Sequence, residues 1–81
     1  MRKELEDIEL EQVVGGTIFL SKAKMKVGFE TTGEIFNLKN CTYMDALILI
    51  DAMHTQYTNS GKTDVEYEAD VKNTMIAKGW I

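Results

Sequence analysis

The sequence predicts an α+β domain: a three-stranded antiparallel β-meander followed by two packed α-helices. Three observations carry that expectation. Apolar residues alternate on both sides of Gly15-Gly16, a second glycine turn follows at Thr32-Gly33, and from Thr42 onward the apolar spacing becomes helical behind two capping-box signatures. The 81 residues, 44% hydrophobic and 27% charged, make one ordinary folded domain. A chain of this size buries only ~60% of the surface its unfolded form exposes, so a core shared with a second copy is advantageous and homo-oligomerisation is a natural expectation.

The strands are expected over about 7–14, 17–31 and 34–40. A two-residue type I′ loop at Gly15-Gly16 sets Val14 opposite Thr17, Gln12 opposite Phe19, Leu10 opposite Ser21 and Ile8 opposite Ala23. Alternation then gathers Ile8, Leu10, Val14, Phe19, Ala23, Met25, Val27 and Phe29 on one face, and places Glu9 across from Lys22 and Asp7 across from Lys24 on the other. A second two-residue loop at Thr32-Gly33 sets Phe29 against Phe36 and Val27 against Leu38, with Gly28 a natural place for a bulge or bend.

The helices are expected over about 43–58 and 64–78. Thr42 with Asp45, and Thr63 with Glu66, have capping-box spacing. Tyr43, Ala46, Leu47, Ile50, Met53, His54 and Tyr57 line the first helix, and Met44, Ile48 and Leu49 widen its apolar surface. Val65, Ala69, Lys72 and Ile76 or Met75 line the second. Gly79 is placed to end it in a left-handed conformation, with Trp80 and Ile81 folding back onto its last turn.

Charge and composition narrow the functional classes. A net charge of −4 argues against a dedicated nucleic-acid binder, because phosphate neutralisation needs a basic excess. The single Cys41 excludes an internal disulfide. No apolar run is long enough to span a bilayer, and "MRKELEDIELEQ" is too acidic for an ordinary Sec signal, so the cytoplasm is the expected compartment. Residues 61–63, "GKT", copy the tail of a phosphate-binding loop, but Gln56 stands where its first glycine belongs and a helix precedes it. Cys41 and His54 bracket one helix and lie about 20 Å apart along it, at ~1.5 Å per residue, too far for a dyad. Asp64, Glu66, Glu68 and Asp70 read as a solvated face near a helix start. No catalytic residue, metal site or cofactor is expected.

One feature points to binding. On the sheet face opposite the expected core, Val13, Ile18 and Leu20 cluster beside the glycine turn, with Ile35 on the same side and Lys22, Lys24 and Lys26 continuing it as a basic stripe. The expectation is a small non-enzymatic protein-protein interaction module, suited by size and acidity to a bacterial or phage accessory or inhibitor protein. Its partner is another protein or a second copy of itself, with the three apolar residues as anchors and the lysines setting orientation.

Residues 1–16 carry a different message. Counting back from Gly16, the chain has two glycines, Val13 four from the end, Leu10 and Glu9 at seven and eight, and Leu5 at twelve. "ELEQVVGG" resembles the double-glycine leader of bacteriocin-type peptides. That resemblance implies an alternative: a secreted precursor, cut after Gly16 by the cysteine protease of its exporter, with Leu5, Glu9, Leu10, Val13, Gly15 and Gly16 as exporter contacts. The chain beyond Gly16, with seven lysines against eight acidic residues, departs from the cationic cargo usual for membrane-active peptides.

Overall fold

The structure, a computed structural model, describes the backbone of residues 12–81 and the side chains of residues 16–81. Its elements are β1 (Gln12–Gly15), β2 (Ile18–Ser21), β3 (Lys26–Phe29), β4 (Glu34–Asn37), α1 (Tyr43–Thr58) and α2 (Asp64–Ala77). The strands pair antiparallel in the order β1-β2-β3-β4, and both helices lie on one face. The expected class holds: an α+β domain in which an antiparallel meander precedes two helices.

Four strands are present because the long second strand expected over 17–31 turns back at residues 22–25. Its two halves have apolar residues of opposite parity, Ile18 and Leu20 before the turn and Val27 and Phe29 after it. A four-residue loop between them brings both pairs to the same face, with Ile18 opposite Phe29 and Leu20 opposite Val27. The loop closes on Met25 at φ +50°, and the next loop, residues 30–33, closes on Gly33 at φ +74°. The latter puts Phe29 opposite Glu34 and Val27 opposite Phe36. This is a shift of two residues from the expected register, so it keeps each side chain on its expected face. The Phe29 and Phe36 rings still meet edge-on at 6.0 Å.

The first hairpin differs by one residue, with larger consequences. Gly15 pairs with Ile18, Val13 with Phe19 and Gln12 with Leu20; Val14 is the extra residue of a bulge. The loop is therefore Gly16-Thr17, with positive φ at Gly16 (+61°) but not at Thr17, the sign pattern of a type II′ turn. That odd shift exchanges the face of β1 relative to β2, while the 22–25 turn has already exchanged the face of β2 relative to β3. Ile18 and Leu20 enter the core with Val27, Phe29, Leu38, Ala46, Ile50, Tyr67, Val71 and Met75, while Phe19 moves to the outer face and packs on Ile35 across Gly28. The expected bulge at Gly28 is absent, since β3 pairs regularly with both neighbours. Leu5, Asp7, Ile8, Glu9, Leu10 and Glu11 lie outside the described residues, as do the pairings expected of them.

Both capping boxes form. Thr42 Oγ1 accepts from the Asp45 N–H and Asp45 Oδ2 from the Thr42 N–H, both at 3.0 Å; Thr63 and Glu66 repeat the exchange at 3.2 and 2.9 Å. Gly79, at φ +77°, ends α2. The N–H of Trp80 bonds the Met75 carbonyl and that of Gly79 the Ile76 carbonyl, the paired bonds of a Schellman motif, and Trp80 and Ile81 fold onto the core. α1 buries Ala46 and Ile50 as expected. α2 is rotated from expectation: Tyr67, Glu68, Val71 and Met75 face inward, and Val65 and Ile76 face solvent.

Candidate interaction surface

The up-and-down topology sorts the connections into two ends. At one end stand the 16–17 and 30–33 turns and the α1–α2 junction. The Glu30 N–H bonds the Thr17 carbonyl at 3.0 Å, and Gly16 lies against His54. At the other end the 22–25 turn, the segment after β4 and the C-terminus converge. There the Leu38 N–H bonds Met25, the Lys39 N–H bonds Trp80, both at 2.8 Å, and Asn40 Nδ2 donates to the Gly79 carbonyl at 3.0 Å.

Glu68 fastens the first end. Although charged, it is only 3% exposed, and its carboxylate accepts from the Thr17 hydroxyl, the Thr31 hydroxyl (2.5 Å) and the Thr31 N–H (3.3 Å). Two sheet turns are thus tied to α2 by one side chain. Beside it, Tyr57 and Tyr67 stack at 4.4 Å with His54 packed on both rings, and the Tyr57 hydroxyl donates to Asp64. Tyr57, Tyr67, Lys62 and Asp70 help line a small cleft of about 150 Å³. Its charges satisfy each other: Lys62 reaches Asp70 at 2.6 Å. The Asp64 hydrogen bond holds the Tyr57 phenol above its ordinary value, and burial does the same for Tyr67. Both remain protonated at neutral pH, and neither is poised as a base.

The residues weighed for chemistry are placed apart. Cys41 is half-buried just before α1, where burial, then the charge of Asp45, pushes its thiol up and disfavours the nucleophilic thiolate. His54 is in the last turns of the same helix, packed among aromatics. The "GKT" residues form the α1–α2 turn and the α2 N-cap, with Gly61 at φ +74° and Lys62 engaged by Asp70. Among the described residues no group of three or more His, Cys, Asp or Glu could hold a metal ion. Among them too, no helix is long and apolar enough to cross a membrane.

The residues expected to bind a partner are dispersed. Ile18 and Leu20 are fully buried beneath the helices, because the 22–25 turn puts their side of β2 on the same face as Val27 and Phe29. They cannot anchor a surface contact, and lysine at either site would put a charge into the core. Val13 lies in β1 opposite Phe19, its side chain outside the described set. Lys22 and Lys24 are exposed in the 22–25 turn, and Lys26 begins β3 half-buried on the outer face. Gly15 ends β1 and Gly16 is exposed in the turn.

Open apolar surface lies on both helices, with Val65 and Ile76 exposed far apart along α2 and an adjoining pair on α1. Met44 and Ile48, one turn apart, are 55% and 61% exposed. Ile48, Leu49 and Ala52 continue into an open groove of about 290 Å³, closed on its other side by Trp80 and Lys78, with Asp45 at its end. The Schellman motif builds the groove by holding the Trp80 backbone beside the last turn of α2. Residues 43–50 are apolar around most of the helix, so the sequence contained these side chains without saying which stripe would stay uncovered. No protein-family model, curated protein or solved structure matches the chain.

Proposed function

We propose that this chain is a non-enzymatic interaction module, an accessory protein that inhibits or adapts a larger partner, and that it binds through the α1 groove instead of the sheet. One observation supports the reading most directly: Met44 and Ile48 stand in solvent beside a groove floored by Leu49 and Ala52 and walled by Trp80. A small domain that leaves two large apolar residues little more than half exposed one turn apart gives up burial worth ~1–2 kcal/mol for each unless something covers them. The test is a photo-crosslinking residue at Ala52, in the groove, compared with one at exposed Asn73 on α2, in the native cell. A discrete adduct at Ala52, missing at Asn73 and lost on Ile48→Lys with the circular dichroism unchanged, supports the module. Equal labelling from both positions rejects it.

A second reading rests on "ELEQVVGG" and on the exposure of Gly16 in its turn. In it the chain is a precursor processed after Gly16 and exported. Intact mass of the natural product, recovered separately from cells and medium, separates the two: a medium species beginning at Thr17 supports export, and an intracellular species retaining residues 1–16 supports the module.

A further inference from the structure

The outer face of the sheet is covered, and the described residues do not supply the cover. Both helices pack on the opposite face, yet Phe19 is only 4% exposed, and Ser21 and Gly28, which share its face, are buried. Of the described apolar side chains only Ile35 packs on Phe19. The other strand positions around it are Val13 on β1, Gly28 on β3 and Ser21 along β2, which ring its base and leave its outward side open. On a sheet packed on one side, such a position meets water. The burial arises within a single chain, so what lies over Phe19 is more of the same chain.

Residues 1–11 are the part that remains. β1 begins at Gln12, opposite Leu20, and β2 turns away after Ser21, so the residues before Glu11 have no length of β2 to pair with. Their sequence, "MRKELEDIELE", carries Met1, Leu5 and Ile8 at helical spacing, with Glu4 and Glu9 flanking that stripe. A helix of this length extends ~16 Å, at ~1.5 Å per residue, and four strands ~4.8 Å apart span ~14 Å, so the segment is long enough to cross the face. Lys26 is half-buried there and is the one charge that the described strand positions bring to that face, opposite in sign to the five acidic residues of the segment.

We infer that residues 1–11 close the outer face of their own sheet as an amphipathic helix: Met1, Leu5 and Ile8 lie on Phe19 and Ile35, with Glu4 and Glu9 along the margins, within reach of solvent and Lys26. The residues that resemble an exporter leader then also keep an apolar face closed, and a cut after Gly16 uncovers it. The contact is independent of whether the chain serves as a module or a precursor.

Nuclear Overhauser contacts in the full chain test this. Cross-peaks from the Phe19 ring to the Leu5 and Ile8 methyls are expected, and in a mixture of isotopically labelled and unlabelled protein none should join two chains. A soluble gadolinium chelate should spare the Phe19 ring as it spares the Val27 methyls of the core. In Leu5→Lys with Ile8→Lys it should broaden that ring as it broadens the exposed Val65 methyls, while Val27 stays protected and reports an intact core. Leu10→Lys, on the far side of the helix, should change nothing; in a strand Ile8 and Leu10 would share a face and the substitutions would act alike. Cross-peaks found only between chains assign the cover to a second copy and overturn the inference. So does a Phe19 ring that the chelate broadens in the parent, or equal exposure in Leu10→Lys and the double variant. Where the double variant loses Val27 protection, the parent's cross-peaks decide: their presence supports the cover and their absence overturns it.

Discussion

Replacing Glu68 tests whether one buried carboxylate holds the sheet turns to α2. Glu68→Gln preserves shape and leaves one acceptor oxygen. Because a threonine hydroxyl can accept as well as donate, the amide can keep all three contacts, but as neutral hydrogen bonds. Charge-assisted bonds are roughly twice as strong as neutral ones, so three conversions at ~0.5–1 kcal/mol each give a loss of ~2 kcal/mol. Glu68→Leu goes further, since the Thr31 N–H loses its acceptor, and ~2 kcal/mol more follows from that orphaned donor. Burying leucine in place of a charge recovers part of the desolvation cost, but not while the donors aimed at Glu68 remain. At ~4–8 °C per kcal/mol for a domain of this size, Glu68→Gln should melt ~10 °C lower and Glu68→Leu ~20 °C lower. Urea denaturation followed by circular dichroism and Trp80 fluorescence measures both, and a double-mutant cycle with Thr31→Val should show coupling of ~1 kcal/mol. If Glu68→Leu stays within ~0.5 kcal/mol of the parent, the scatter of ordinary surface changes, the latch does not exist.

Two further outcomes follow from local electrostatics. The side-chain hydrogen bond from Lys72, then its charge, holds the Glu34 carboxyl below its ordinary value, so that pair stabilises the fold above the usual carboxylate range and ceases to do so as pH falls through the lowered value; in Lys72→Met, carboxyl NMR should find Glu34 titrating at higher pH. Burial raises the Cys41 thiol, so alkylation by iodoacetamide should be slower than for a free cysteine at neutral pH, with its rate–pH curve displaced upward; a rate equal to that of an unstructured peptide would contradict the half-buried placement.

What the sequence disclosed depended on whether a signal was local. Capping boxes at Thr42 and Thr63, and the glycine stop at Gly79, each involve residues within a few positions of one another, and all three form as spaced. Strand faces depend on counting through a turn, and the count is unforgiving. The two-residue slip at residues 30–33 changed no face, whereas the turn at residues 22–25 exchanged Phe19 for Ile18 and Leu20 and so moved the expected binding surface into the core. The change of apolar parity between Leu20 and Val27, across the polar run "SKAKMK", was the available sign of a turn there. On α2 the stripes Val65-Ala69-Ile76 and Tyr67-Val71-Met75 are equally helical in spacing, and only tertiary contact chose between them. Glu68 could not be read at all, since nothing local marks a carboxylate whose partners are Thr17 and Thr31.

The same latch makes the export reading measurable. A protease that accepts a double-glycine leader needs the chain around the scissile bond extended in its cleft. In the fold, the Gly16–Thr17 bond sits inside a two-residue turn, the Thr17 carbonyl accepts the Glu30 N–H, and the Thr17 hydroxyl is held by Glu68. Cutting a folded chain therefore requires β1 to leave β2 and Thr17 to leave Glu68, and its rate follows the population of that opened state. If Glu68→Gln weakens the closed form by ~2 kcal/mol, cleavage should accelerate about thirtyfold, while a chain presented unfolded should be cut equally fast with either residue. Equal rates for the two folded chains would mean that the bond is reached without opening the latch. A completed cut carries a structural consequence of its own: β1 is the edge strand, so its loss exposes the Ile18–Ser21 edge of β2 to pairing with another chain. A folded protein that keeps residues 1–16 keeps that edge covered, which favours processing before folding wherever processing occurs.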